Sequence, residues 1–201
     1  MIEKIGERNS ILFVDLDGSL IATDTLFESI IIFLKNNPFQ IIYLLLWYLK
    51  GKVYLKNQLS QRAMPNVATL PYNKEVLDYI RKEKLSGQQI ILATASHKKT
   101  AIGVADFLGI FDGVIATDKY YNLKGKRKLD VIQDFACGQS FDYIGDSKAD
   151  ISIWKAARKA IVVNPSPDLL RRIGNNINIH TIRTAQNQNW ARKWLRGIRI
   201  H

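Results

Sequence analysis

Short apolar runs alternate with amphipathic stretches along most of the chain, and one long interruption of that alternation is helical throughout. The first run, Ile11-Leu12-Phe13-Val14, is too short for a helix and rich in branched and aromatic side chains. That pattern suits a parallel strand covered on both faces. Runs at 89–94, 111–117, 140–146 and 160–164 read the same way. Helical patterns lie between them at 97–108, capped by Ser96, at 129–136 and at about 149–159. Strands alternating with helices predict an α/β fold, a doubly wound parallel sheet.

Residues 20–86 break the rhythm. Thr25-Leu26-Phe27-Glu28 has the form of a capping box, so a helix is expected from Thr25 to Asn36-Asn37-Pro38, where Asn37 caps a second one. This second helix, 39–49, is apolar on every side and must be covered, either by ordinary packing in its own helical bundle or by an apolar face that meets lipid or a lipid-linked phosphate. Helices to about Ala63 and over 73–84 follow. The expected organisation is a core formed by 1–20 and 87–170, an all-helical insertion over 21–86, and a basic C-terminal extension over 171–201.

Composition narrows the setting. A chain of 201 residues, 47% apolar, can bury one full core. Its single cysteine, Cys137, excludes an internal disulfide and a cysteine metal site and favours a reducing compartment. A polar N-terminus up to Ser10 argues against a secretory signal, and no run of about 20 apolar residues offers a bilayer span. The net charge of +11 calls for an anionic partner, whether phosphate, nucleic acid or an acidic membrane surface. From Leu169 onward there are seven Arg or Lys residues and no acidic one, with Trp190 and Trp194 among them. Such a segment reads either as a solvated tail or as a membrane or partner contact.

The chemistry concentrates where apolar runs end. Asp15 and Asp17 follow the first strand, and two carboxylates in one small volume repel unless a cation joins them. An EF-hand loop fails on spacing, since Leu20 and Leu26 stand where Gly and Glu are needed. Thr94 ends the second strand, and Asp146, with Asp150 one turn beyond, ends the fourth. Lys128 lies in Gly125-Lys126-Arg127-Lys128. In a parallel sheet such strand ends open onto one crevice. Asp24 suits either a helix cap or a substrate contact, and His97 reads as a surface residue.

In this order the motifs Asp15-Leu16-Asp17-Gly18-Ser19, Leu92-Ala93-Thr94-Ala95-Ser96, Lys128 and Gly145-Asp146-Ser147-Lys148-Ala149-Asp150 resemble the haloacid dehalogenase (HAD) superfamily, mostly phosphohydrolases that pass through a phospho-aspartate. Ser19 replaces the usual Thr and keeps its hydroxyl. The resemblance implies a Rossmann-like core with a helical cap inserted after the first motif. It implies Asp15 as nucleophile, Asp17 as acid and base, and Mg2+ held by Asp15, Asp146, the Asp17 backbone carbonyl and Asp150, the last directly or indirectly. Thr94, Ala95 and Lys128 would hold the phosphoryl group, with Asp24 near the substrate. Dehalogenation suits a metal and Lys128 less well than phosphate does.

A narrower likeness covers residues 11–172, including Trp47-Tyr48-Leu49-Lys50-Gly51 and Leu108-Gly109-Ile110-Phe111-Asp112. These stretches look like the HAD-type domain fused ahead of UbiA-type intramembrane prenyltransferases, and Leu195-Arg196-Gly197-Ile198-Arg199 is similar to the basic lead-in to their first membrane helix. It implies a phosphorylated sugar or lipid-linked substrate, a prenyltransferase or membrane neighbour, no nucleic acid, and a cytoplasmic position at the inner face of the membrane. The alternative reading is a non-catalytic soluble domain that docks on such a prenyltransferase.

Overall fold

A computed structural model describes residues 10–36, 38–118, 123–174 and 177–185. Strand β1 (Ile11–Val14) pairs in parallel with β2 (Gln89–His97) on one side and β4 (Phe141–Gly145) on the other. With β3 (Gly113–Thr117), β5 (Lys159–Val163) and β6 (Ile179–Ile182), the sheet order is β3-β2-β1-β4-β5-β6, every pairing parallel. The doubly wound sheet expected from the alternation is therefore present.

Successive side chains on a strand point to opposite faces, and each face here has its own apolar cluster. Leu12, Val14, Ile90, Leu92 and Ile144 pack with α4 (Lys74–Leu85) and α5 (Lys98–Leu108). Ile11, Phe13, Ile91, Tyr143 and Val162 pack with α6 (Lys126–Ala136), α7 (Ile151–Ala156) and α8 (Pro167–Ile173). Because both faces are covered, all four residues of β1 are buried. The strand order reverses direction at β1, so the edges of β1, β2 and β4 that carry the motifs converge at the switch point, where open α/β sheets bind ligands.

Several elements depart from the pattern reading. The sheet gains β6 and α8 precedes it, so part of the stretch expected as a basic extension belongs to the fold. Ile179-His180-Thr181-Ile182 is only four residues long, and only one of them, Ile182, is buried, which left a weak periodic signal. The helix expected to 159 is shorter, because Lys159 is already in β5. Strand β2 runs on to His97, which caps α5 by accepting from the Lys99 N–H through Nδ1 at 3.2 Å, so Ser96 is not the cap. Asn37 and the Trp-bearing tail lie outside the described residues.

The helical block divides in two. α1 (Thr25–Asn36), α2 (Ile41–Leu49) and α3 (Lys52–Arg62) pack on one another around Phe33, Leu44, Leu55, Leu59 and Ala63. α4, by contrast, places Val76, Leu77 and Ile80 in a sheet-face cluster. The strands of chain entering and leaving the three-helix cap run side by side: the Ala22 N–H donates to the Pro71 carbonyl at 2.9 Å, and Ile21 bridges to Tyr72. Of the two readings of α2, packing within its own bundle is not met. Leu44 is its one buried residue, and Ile41, Ile42, Leu45, Leu46 and Leu49 are at least half exposed.

Candidate active site

Asp15 follows β1 directly, and its N–H donates to the Ile144 carbonyl of β4 at 3.0 Å, which extends the ladder by one step and fixes the carboxylate at the sheet edge. Gly18 then turns the chain with φ +77°. A Cβ at Gly18 would lie 2.1 Å from Asp146 Oδ2, so a glycine is needed there for both backbone and space. Asp146, just past β4, thereby comes against the Asp15 loop. Oxygens of Asp15, Asp146 and Asp150 all lie within 4.8 Å of one another.

Lys128, in the first turn of α6, is buried in this cluster. Its Nζ donates to Asp15 Oδ1 at 2.9 Å and to the Tyr143 hydroxyl at 2.8 Å, and lies 3.5 Å from Asp150 Oδ1. The Tyr143 hydroxyl in turn donates to Asp150 Oδ1 at 2.8 Å. Asp150 Oδ2 accepts from the Ser147 N–H and hydroxyl at 3.2 and 3.0 Å. Burial alone would lower the Lys128 ammonium, but Asp15 and Asp150 beside it hold it above its ordinary value.

One buried ammonium does not balance three carboxylates. Burial pushes Asp15 up to about 7, with Lys128 opposing and Asp150 and Asp17 adding to the rise. Burial, Asp15 and Asp150 push Asp146 up to about 8. A second, divalent cation would relieve both, and an all-oxygen donor set suits a hard ion of the magnesium type. The residues present therefore fit a metal.

Asp17 stands in a different environment. Its Oδ1 accepts from the Thr25 N–H at 2.8 Å and its Oδ2 from the Ser96 hydroxyl, which also pairs with Thr25 Oγ1 at 2.8 Å. Burial raises its carboxyl, Asp24 adds to the rise, and the Ser96 and Thr25 hydrogen bonds oppose it. The side chain is thus held at the first turn of the cap helix α1, away from Lys128.

Ala95, Asp24 and Lys128 line a cleft of about 610 Å³ together with Asp15, Asp17 and Asp146. Thr94 is fully buried, its Oγ1 accepting from the Ser96 N–H at 3.0 Å, and it shapes the turn beneath that cleft. Asp24 caps α1 through Oδ1, accepting from the Leu26 and Phe27 amides at 2.8 and 3.3 Å. Thr25, expected as the cap, is already the first residue of the helix. His97 is only partly exposed and ties the core to Ser60 of α3 at 3.4 Å.

Two participants went unread in the sequence, and a third, Ser96, was read in another role. Lys56 of α3 reaches from the cap and donates to the Ala95 carbonyl at 2.6 Å, within the field of Asp17 and Asp24. Its signal was the spacing from Lys52, four residues earlier on the same face, which also lines the cleft. Ser96 serves Asp17 rather than a helix. Tyr143 lies at a buried strand position, where a phenol needs a partner for its hydroxyl.

No family model matches the chain. The uncharacterized protein y4nM of Sinorhizobium fredii is 32% identical over 198 residues, a match covering 97% of this chain and 38% of that protein. This chain thus spans well under half the length of its relative. Among solved structures, a protein of unknown function from Bordetella pertussis superposes with a TM-score of 0.66 at 17% identity, over 87% of this chain and 98% of that one. Apo phosphoserine phosphatase gives 0.63 at 16%, over 94% and 98%. The HAD family hydrolase t0658 of Salmonella enterica serovar Typhi gives 0.63 at 13%, over 86% and 67%. The parallel six-stranded sheet with its flanking helices is the fold of the HAD-family hydrolases.

Proposed function

We propose that the protein is a metal-dependent phosphomonoester hydrolase working through a phospho-aspartate. The observation that carries this reading is the division between two carboxylates in one cleft: Asp15 faces Lys128 and the acidic cluster, whereas Asp17 is turned toward Ser96 and α1 and holds its proton more tightly than an ordinary carboxyl. Solved structures with this fold include one described as a phospho-aspartyl intermediate analogue of phosphoserine phosphatase, which supports the same chemistry here.

Asp15 and Asp146, with the Asp17 backbone carbonyl, would hold Mg2+; the ion would neutralise phosphate charge and keep Asp15 ionised. Asp150, whose oxygens already accept three hydrogen bonds, holds Lys128 and the Ser147 loop in place and completes the carboxylate cluster. An Asp15 oxygen attacks phosphorus as the bond to the leaving oxygen breaks, and the Asp17 proton passes to that oxygen. Asp17, now ionised, takes a proton from water, whose oxygen bonds to phosphorus as the bond to Asp15 breaks. Lys128 balances charge on the phosphoryl oxygens, and the amide at Ala95 offers a donor above the buried Thr94. Lys56 and the cap exclude water and restrict the substrate.

The substrate class we infer is a phosphorylated sugar or a lipid-linked, polyprenyl-type phosphate, in keeping with the likeness to domains fused to UbiA-type prenyltransferases and with a net charge of +11. On this reading the protein works at the cytoplasmic face of a membrane. A second reading, a non-catalytic domain docking on a membrane prenyltransferase, is favoured by one observation: the relative in Sinorhizobium fredii extends far beyond the matched part.

Hydrolysis of para-nitrophenyl phosphate with Mg2+ separates the two. We expect turnover that is abolished in Asp15→Asn and reduced about 100-fold or more in Asp17→Asn. A wild-type protein inert toward a broad panel of phosphomonoesters, or Asp15→Asn as active as wild type, would overturn the phosphatase reading.

A further inference from the structure

We infer that α2 is an in-plane membrane anchor that seats the cap on an anionic bilayer surface. With about 100° per residue, Leu44 and Trp47 fall on one side of the helix and Ile41, Ile42, Leu45, Leu46 and Leu49 on the opposite side. The inward side is occupied: Leu44 is buried in the cap cluster and Trp47 packs on Phe33 with ring centroids 5.2 Å apart. The outward side is a continuous aliphatic surface, with Leu45 60% and Leu49 81% exposed. Exposed apolar surface of this extent marks an interaction site.

Two facts choose the occupant. Nine residues make a helix about 14 Å long, less than half of the ~30 Å hydrocarbon core, so α2 lies along an interface and does not span one. Charge along this part of the chain is of one sign: after Glu28 in the first turn of α1, residues 29–73 carry Lys35, Lys50, Lys52, Lys56 and Arg62 and no acidic residue, with Lys35 and Lys50 flanking α2 in sequence. An apolar helix face on a segment whose charges are basic is what binds negatively charged headgroups while inserting its aliphatic side chains. A second copy docking on the same face would bring two such caps together, charge against like charge. The helix also runs through Lys50-Gly51 straight into α3, whose Lys52 and Lys56 line the catalytic cleft, so the anchor adjoins the elements that would receive a lipid-borne phosphate.

Co-sedimentation of the full chain with vesicles tests this, and needs no turnover. Wild type should bind mixed phosphatidylcholine–phosphatidylglycerol vesicles and bind pure phosphatidylcholine much less. Ile42→Ser/Leu45→Ser/Leu49→Ser should lower binding to the mixed vesicles at least about tenfold while leaving para-nitrophenyl phosphate hydrolysis and the melting temperature unchanged. Lys35→Glu/Lys50→Glu should lose only the anionic preference. A fluorophore on Leu45→Cys in a Cys137→Ser background should shift to the blue on the mixed vesicles. Wild type that stays in the supernatant, or a triple variant that binds as wild type does, would overturn the assignment. So would light scattering that shows a dimer abolished by the triple substitution with no vesicle binding.

Discussion

At the scale of single residues, Gly18 and the Asp146 carboxylate it admits beside Asp15 set what the site can do. Gly18→Ala would drive a methyl into Asp146 and hold a left-handed backbone at a cost of about 1–3 kcal/mol. Urea unfolding should show that loss, and the rise in melting temperature with Mg2+ should largely disappear. The raised carboxyls make a second prediction. Asp15 at about 7 and Asp146 at about 8 hold protons that the unfolded chain, near 3.9, releases much earlier. Between about pH 4 and pH 8 the folded state therefore binds more protons, so the metal-free protein loses stability as pH rises. A cation competes with those protons, and its stabilising effect grows in the same window. Thermal unfolding with and without Mg2+ should show a larger increment at about pH 8 than at about pH 6, and equal increments would contradict the ligand set. Asp15, Asp17 and Asp146 were legible in the sequence because each ends or follows an apolar run, whereas Lys128, in a run of basic residues, was legible only from its place in the order of motifs. Ser96 and Tyr143 were not, because their roles depend on neighbours supplied by other strands and by the cap.

At the scale of elements, the sheet was legible because parallel strands covered on both faces must be continuous apolar runs. The assignment of helices to layers was not, because an amphipathic stripe reveals that a helix packs but not against what. α4 shows this: its stripe joins the sheet cluster, whereas the stripes of α1 and α3 join each other. Ile80→Ala should accordingly cost about 2–5 kcal/mol in global unfolding, since Ile80 is fully buried against the sheet. Denaturant titration measures it, and a cost well under 1 kcal/mol would place α4 outside the core. α2 departs from the expectation of bundle packing for a physical reason. A nine-residue helix that offers only Leu44 and Trp47 to a small bundle leaves its remaining side chains nothing to bury against.

At the scale of the whole molecule, β6 is the outermost strand at one edge of the sheet. It covers β5 through a four-residue parallel register, from Ala160↔Ile179 to Val163↔Ile182. A chain stopped at Gly174 would leave the apolar strand β5 as an unpaired edge and should aggregate, whereas one stopped at Ala185 should keep the solution size of the full chain and unfold cooperatively. Size-exclusion chromatography and calorimetry of the two would show it. The neck of the cap carries a further consequence. Because Ala22 and Pro71 are hydrogen-bonded neighbours, the chain leaves the sheet and returns to it at nearly one point. A segment with adjoining ends can be exchanged for another of different length without moving the strands beneath. The three-helix cap is thus joined to the sheet through one narrow neck, and Ala22–Pro71 is the natural splice junction for exchanging it, provided the replacement again supplies partners for Asp17 and the Ala95 carbonyl.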